Sequence, residues 1–293
     1  MNTNHLFFQL ILSATIFLSA GCGKTNPTPE PAKVPPPSEC NGHAELCSRR
    51  FDEVAFPATH NAMSNFEQGW GAANQNFSMK RQLDDGIRAM LFDTYEWNED
   101  LYLCHSICQL GHSLFVDELK MIRSFLDEHP HEVLTFIIED HITPSQTEKA
   151  FQAAGLADMM YTHEAGTPWP TLYDMIVSGK RIVAGAESAG PPPSWYHHIW
   201  DITWDTPYSF AKPEDFNCNL NRGSKDNDLF LMNHWLSDPL STPDRAKVAN
   251  EYGLLSSRAK QCQAEGGQIP NFVAVDFYDI GALFQVVDEL NQL

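Results

Sequence analysis

Between Cys40 and Leu293, short runs rich in Val, Ile and Phe alternate with longer amphipathic stretches, and neither a linker nor an internal repeat interrupts them. That alternation constrains the fold more than any other feature. Strands separated by helix-length segments pair in parallel, because a parallel crossover needs a dozen residues or more. About 250 residues of this pattern is the usual size of one (β/α)8 TIM barrel. The runs Glu53–Phe56, Ile87–Asp93, Leu101–Cys104, Val133–Glu139, Arg181–Ala186, Leu229–Asn233 and Phe272–Asp276 are predicted strands, with Met159–Thr162 as an eighth. Predicted helices include Val116–Glu128, Ser145–Ala154, Pro243–Ala264 and Ile280–Asn291, the last with a core-facing stripe.

In such barrels the chemistry gathers at the C-terminal ends of the strands. The runs here end in or next to His60, Asp93, His105, Glu139, His234 and Asp276. Buried ionisable groups are costly unless paired or bound to a metal, so a set of them points to a shared mouth. His60 and His105 are candidates for paired acid and base roles, since imidazole titrates near neutrality. Asn61, Asp93 and Glu139 offer oxygen ligands, which suit calcium or magnesium rather than zinc. Asp276 is a candidate to orient a histidine, with a helix cap as the alternative. Arg222, in a glycine-containing loop, is a candidate contact for phosphate or a hydroxylated headgroup. Arg88 lies too early in its strand and is read as structural. Trp195, Tyr196, Trp200 and Trp204 form either an interfacial rim or core. His129, His131, His197 and His198 are expected at the surface.

The N-terminus reads as a targeting segment. Leu6 to Ala20 is an apolar run of signal-peptide length, ending in Leu18-Ser19-Ala20-Gly21-Cys22. This is similar to a bacterial lipobox, although residues 1–5 lack Lys and Arg and Ser19 stands where Leu is usual. The expected order is a signal peptide over 1–21, a lipidated Cys22, a spacer over 22–39 and the barrel over 40–293, anchored in a bacterial cell envelope. Six prolines at 27, 29, 31, 35, 36 and 37 make the spacer extended, roughly 50 Å at about 3.1 Å per residue. If Cys22 carries lipid, six of the seven cysteines remain. Closeness in sequence favours Cys40–Cys47 and Cys104–Cys108, leaving Cys218–Cys262; the alternative is zinc at Cys104, His105 and Cys108. A net charge of −19 argues against nucleic acid and against electrostatic docking on anionic lipid.

Four segments carry a family resemblance. Phe56-Pro57-Ala58-Thr59-His60-Asn61-Ala62-Met63, Gln82 to Asp93, Leu103-Cys104-His105-Ser106 and Glu132 to His141 resemble motifs of the phosphatidylinositol-specific phospholipase C X domain. Thr203–Tyr208, Cys218–Gly223 and Asn271–Asp276 look like its secreted phosphodiesterase subgroup. The resemblance implies a distorted barrel that cleaves a phospholipid by phosphodiester displacement. His60 would be the base on the inositol 2-hydroxyl and His105 the acid on the leaving oxygen, through a cyclic phosphate. Asp93 and Glu139 match the metal-dependent members; the metal-independent ones carry Arg and Lys there. Leu91 departs from the calcium enzymes by replacing a carboxylate, and the expected consequences are weak calcium binding, more water ligands, recruitment of Asp140 or Glu96, or a preference for magnesium. The expected cofactor is calcium in preference to magnesium. Other expected possibilities are a sphingomyelin-like or glycerophosphodiester substrate, or a surface binding module without turnover.

Overall fold

The computed structural model describes Met1 and residues 36–293 other than Pro239. The expected leader beyond Met1, the lipidated Cys22 and most of the spacer lie outside the described residues. Among the described residues ten strands form one sheet: β1 Phe56–Thr59, β2 Ala89–Trp97, β3 Asp100–Leu103, β4 Ser113–Leu114, β5 Leu134–Asp140, β6 Ile182–Ala186, β7 Tyr196–His198, β8 Thr203–Asp205, β9 Leu229–Asn233 and β10 Phe272–Val275. Eight of them, in the order β7-β6-β5-β2-β1-β10-β9-β8, pair in parallel. That order follows the chain around a barrel and leaves the seam between β7 and β8 unpaired. The fold is thus a distorted (β/α)8 barrel. β3 and β4 are antiparallel extensions off β2 and stand outside the ring.

Strand parity separates two cores. Phe56, Ala58, Ala89, Leu91, Ile137, Val183, Leu229, Leu231, Phe272 and Ala274 fill one cluster, the barrel interior. The alternate residues Met90, Phe92, Leu134, Phe136, Ile138, Ile182, Ala184, Phe230, Met232, Val273 and Val275 join a second cluster. That cluster includes the apolar stripe Phe115, Leu119, Ile122, Phe125 and Leu126 of α2 (Phe115–Glu128). The period-2 geometry of strands therefore fixes which residues reach the mouth.

Several predicted boundaries differ. β1 begins at Phe56, because Phe51–Glu53 form a 3-10 turn in place of the predicted strand start. Met159–Thr162 is no strand; it contributes only a bridge from Met160 to Ile182. The true remaining barrel strands, β7 and β8, are three residues each. The helix predicted over Pro243–Ala264 is two, α5 (Pro243–Ala249) and α6 (Tyr252–Gly266). Asn250 breaks it: its side-chain amide donates to the carbonyls of Asp276 and Ile280, and its own carbonyl accepts from Ala282. The terminal helix is shorter than predicted, Leu283–Leu290, after Gly281 at φ 91°, where a side chain would overlap the Asn250 carbonyl. Among the described residues, three disulfides join Cys40 to Cys47, Cys104 to Cys108 and Cys218 to Cys262. The paired sulfurs leave no thiolates for zinc at 104–108.

Candidate active site

The inward parity of each strand continues one step past the barrel core. It delivers His60 after Ala58, Asp93 after Leu91, Glu139 after Ile137, Asn233 after Leu231 and Asp276 after Ala274. Together these place ionisable or amide groups at one mouth. A cleft of about 460 Å³ opens there between His60, Asn61, Asn74, His105, Glu139 and Trp235. A deeper recess of about 90 Å³ holds Asp93, Glu139, Glu187 and Arg222, and shares His60, Asn61 and Trp235 with the cleft.

His60 is tightly held. Its Nδ1 lies 2.8 Å from Asp276 Oδ1, and Asp276 is 1% exposed. Asn74 donates to the same oxygen at 3.2 Å. Trp235 stacks flat on the imidazole, with centroids 3.9 Å apart and planes within 4°. The carboxylate therefore engages Nδ1–H, which leaves Nε2 as the basic nitrogen. His105 enters from the β3–β4 connection rather than from a barrel strand. Asn61 Nδ2 lies 3.4 Å from His105 Nε2. Burial first, and then His60, lowers the His105 pKa from its ordinary value.

Asp93 is 3% exposed and makes no hydrogen bond or ion pair among the described residues. Burial, then Glu139 and Glu187, push its pKa well above the usual carboxylate range. Asp93 and Glu139 face each other in register across β2 and β5. Glu139 also accepts from or pairs with His141 at 2.9 Å. No three His, Cys, Asp or Glu side chains among the described residues converge closely enough to hold a metal ion by themselves. The donor set nevertheless fits a hard divalent cation once the neutral oxygen of Asn61 and water are counted, since calcium takes mixed oxygen ligands. Asp93, buried without a counter-charge, is the group such a cation would neutralise.

Glu187 escaped the sequence reading. The strand ends at Ala186 as predicted, but the inward parity of Val183 and Gly185 carries on to Glu187 just beyond it, and that alternation was the available signal. Burial raises the Glu187 pKa, with Arg222 opposing. Arg222 Nη1 donates to Glu187 at 2.6 Å, and its Nε and Nη2 donate to the buried Asp205. Trp200 lies under the guanidinium at 3.9 Å. The loop geometry demands Gly223 at φ 77°, where a side chain would overlap the Thr203 carbonyl. Arg222 thus lines the recess with its charge already matched by two carboxylates.

Other candidates fall elsewhere. His234 has outward parity and is fully buried: Nε2 faces the Ala249 carbonyl at 2.7 Å and Nδ1 faces Arg258 at 3.0 Å. It is a structural residue and not part of the mouth. Asp140 accepts from the backbone of Ser188 and Ala189, and Glu96 accepts from Gln146, so neither lines the recess. Arg88 pairs with Glu132 at 2.6 Å, a structural role. Trp195, Tyr196 and Trp204 are buried. His197, expected at the surface, is buried as well and accepts from the His163 backbone at 3.4 Å.

The fold is similar to that of phospholipase C-type barrels. The family pattern described as PI-PLC X 1 matches residues 46–291, and the chain belongs to that family. A PI-PLC X domain-containing protein of the fungus Arthroderma benhamiae is 29% identical, with 87% of this chain and 90% of that protein covered. An uncharacterised secreted protein of the same fungus is also 29% identical over 95% of this chain and 69% of its own length. Among solved structures, a variant of the phosphatidylinositol-specific phospholipase C of Staphylococcus aureus superposes with a TM-score of 0.55 at 16% identity. That match covers 84% of this chain and 94% of the other, and it is a likeness of fold.

Proposed function

We propose that the protein is a phosphodiesterase that cleaves a phosphatidylinositol-type phospholipid by paired histidine catalysis. The observation that carries this reading is two imidazoles lining one cleft, only one of them backed by a buried carboxylate. Such asymmetry separates a base from an acid. His60, with Nδ1–H engaged by Asp276, accepts the proton of the inositol 2-hydroxyl at Nε2. The hydroxyl oxygen attacks phosphorus, and the bond from phosphorus to the glycerol oxygen breaks. His105, protonated, gives its proton to that oxygen. The products are diacylglycerol and an inositol cyclic phosphate, and in a slower step the two histidines exchange roles as water opens the ring.

A divalent cation, calcium in preference to magnesium, belongs to this reading, held by Asn61, Asp93 and Glu139. When bound it supplies positive charge against the phosphoryl oxygens. Export also belongs to it, supported by the secreted fungal relative, with attachment through a lipid on Cys22 in a bacterial envelope. Membrane fractionation tests the anchor: Cys22→Ser should move the protein to the soluble fraction, and an unmodified Cys22 thiol in membrane-extracted protein would exclude it. The activity is tested by phosphorus NMR of phosphatidylinositol incubated with the protein in calcium, magnesium or chelator. A cyclic phosphate signal that gives way to a linear one, and that needs the cation, is the expected result. No phosphorus product under any of these conditions would overturn the reading.

A further inference from the structure

We propose that the Cys104–Cys108 disulfide is the positioning device of the catalytic acid, doing for His105 what Asp276 and Trp235 do for His60. The inference rests on the reading of His105 as the acid. The cross-link closes a ring of five residues, Cys104-His105-Ser106-Ile107-Cys108, directly after β3. Its two ends are sunk in the core: Cys104 is 0% and Cys108 6% exposed, in the same apolar cluster as Met63, Trp70 and Leu103. The three residues between them all line the cleft. Ser106 takes a left-handed backbone, φ 59°, and the Ile107 amide donates back to the His105 carbonyl at 2.6 Å. The imidazole is thus displayed from a tight ring, one residue from a buried covalent anchor.

The contrast with His60 gives the physical reason. No carboxylate forms an ion pair with His105 among the described residues; its side-chain hydrogen-bond partner is the Asn61 amide. A carboxylate behind it would add negative charge to a mouth that already holds Asp93, Glu139 and Glu187. A disulfide fixes position without charge. Three residues past the ring, Trp70 packs on Gly111, where any side chain would overlap the indole.

The test uses leaving-group dependence, which a general loss of structure does not alter selectively. Phosphatidylinositol releases a poor leaving group and needs the acid; 4-nitrophenyl inositol phosphate releases a good one and does not. In the Cys104→Ala/Cys108→Ala double variant, kcat on phosphatidylinositol should fall by roughly tenfold or more, as a misplaced catalytic group does. Turnover of the nitrophenyl substrate and both KM values should stay near wild type. A second variant, with one glycine inserted after Ser106, keeps the cross-link but slackens the ring, and should show the same selective loss. His105→Ala, run alongside, should show that selectivity more deeply. Selective loss in His105→Ala with none in the two ring variants would overturn the disulfide's role alone. A loss in His105→Ala that ignores the leaving group would overturn the acid assignment, and the proposal with it.

Discussion

His60 and His105 carry the same side chain but sit in opposite electrostatic settings, and mutation should expose the difference. Replacing either with Ala should lower turnover by about two orders of magnitude or more while the fold is kept. Asp276→Asn should also lose roughly a hundredfold, because an amide can turn its own N–H towards His60 Nδ1 and favour the wrong tautomer, where the carboxylate can only accept. Wild-type turnover in any of the three would remove that residue from the mechanism. Asp93 makes a prediction of the opposite kind. Its pKa is raised in the folded chain, so the ionised form is disfavoured there and the residue costs stability above its unfolded pKa. Without metal, Asp93→Asn should therefore stabilise the protein, by about 1–3 kcal/mol for a buried group freed of an unmet charge. With calcium the order should reverse, since only the wild type gains from the ion. Calorimetry in chelator and in calcium checks this. A lower Tm for Asp93→Asn in chelator, or equal calcium stabilisation of both, would count against a cation at Asp93.

At the scale of elements, the sequence already contained the parity that builds the mouth, for β2, β5, β9 and β10 read as alternating inward and outward residues. Glu187 was missed because it lies one residue past the strand, which ends at Ala186 as predicted, and only the parity of Val183 and Gly185 points to it. β7 and β8 were illegible for a firmer reason: three-residue strands of Tyr-His-His and Thr-Trp-Asp show no period, and their pairing is a tertiary event. His234 was misplaced because a polar residue at a strand end looks the same from either face. Its true place, between β9 and α6, carries a pH prediction. Burial first, and then Arg258, push its pKa down to about 3. The unfolded imidazole, near 6.5, takes up a proton that the folded one refuses, so stability is full above about pH 6.5 and falls as pH drops towards 3. His105, His163 and His197 are also shifted down and act with the same sign. His234 alone should cost about 2 kcal/mol by pH 5. Urea midpoints measured from pH 7 to 4 should show the decline, and His234→Gln should flatten it. An unchanged slope in that variant would mean that His234 is not the group responsible.

Over the whole molecule, the decisive quantity is a net charge of −19 set against a catalytic mouth rimmed with apolar side chains. Ile107, Leu110, Tyr208 and Leu240 are exposed and line the cleft. Such a rim favours contact with a lipid surface, whereas the overall charge opposes approach to an anionic one. The two effects have different ranges. Apolar contact acts only on touching, while repulsion between exposed charges extends over a Debye length, about 30 Å at 0.01 M salt and about 8 Å at 0.15 M. Soluble Cys22→Ser protein should therefore work more slowly on phosphatidylinositol diluted in phosphatidylglycerol vesicles than in phosphatidylcholine vesicles, at the same mole fraction, low salt and fixed calcium. Raising the salt to 0.15 M should close most of that gap by speeding the anionic case, with little change in the zwitterionic one. The proposed lipid on Cys22 would hold the enzyme near its membrane whatever the salt, so a form that carries it should show a smaller gap from the outset. Faster turnover on the anionic vesicles at low salt, slowed by added salt, would show that local positive charge near the mouth outweighs the field of the whole chain.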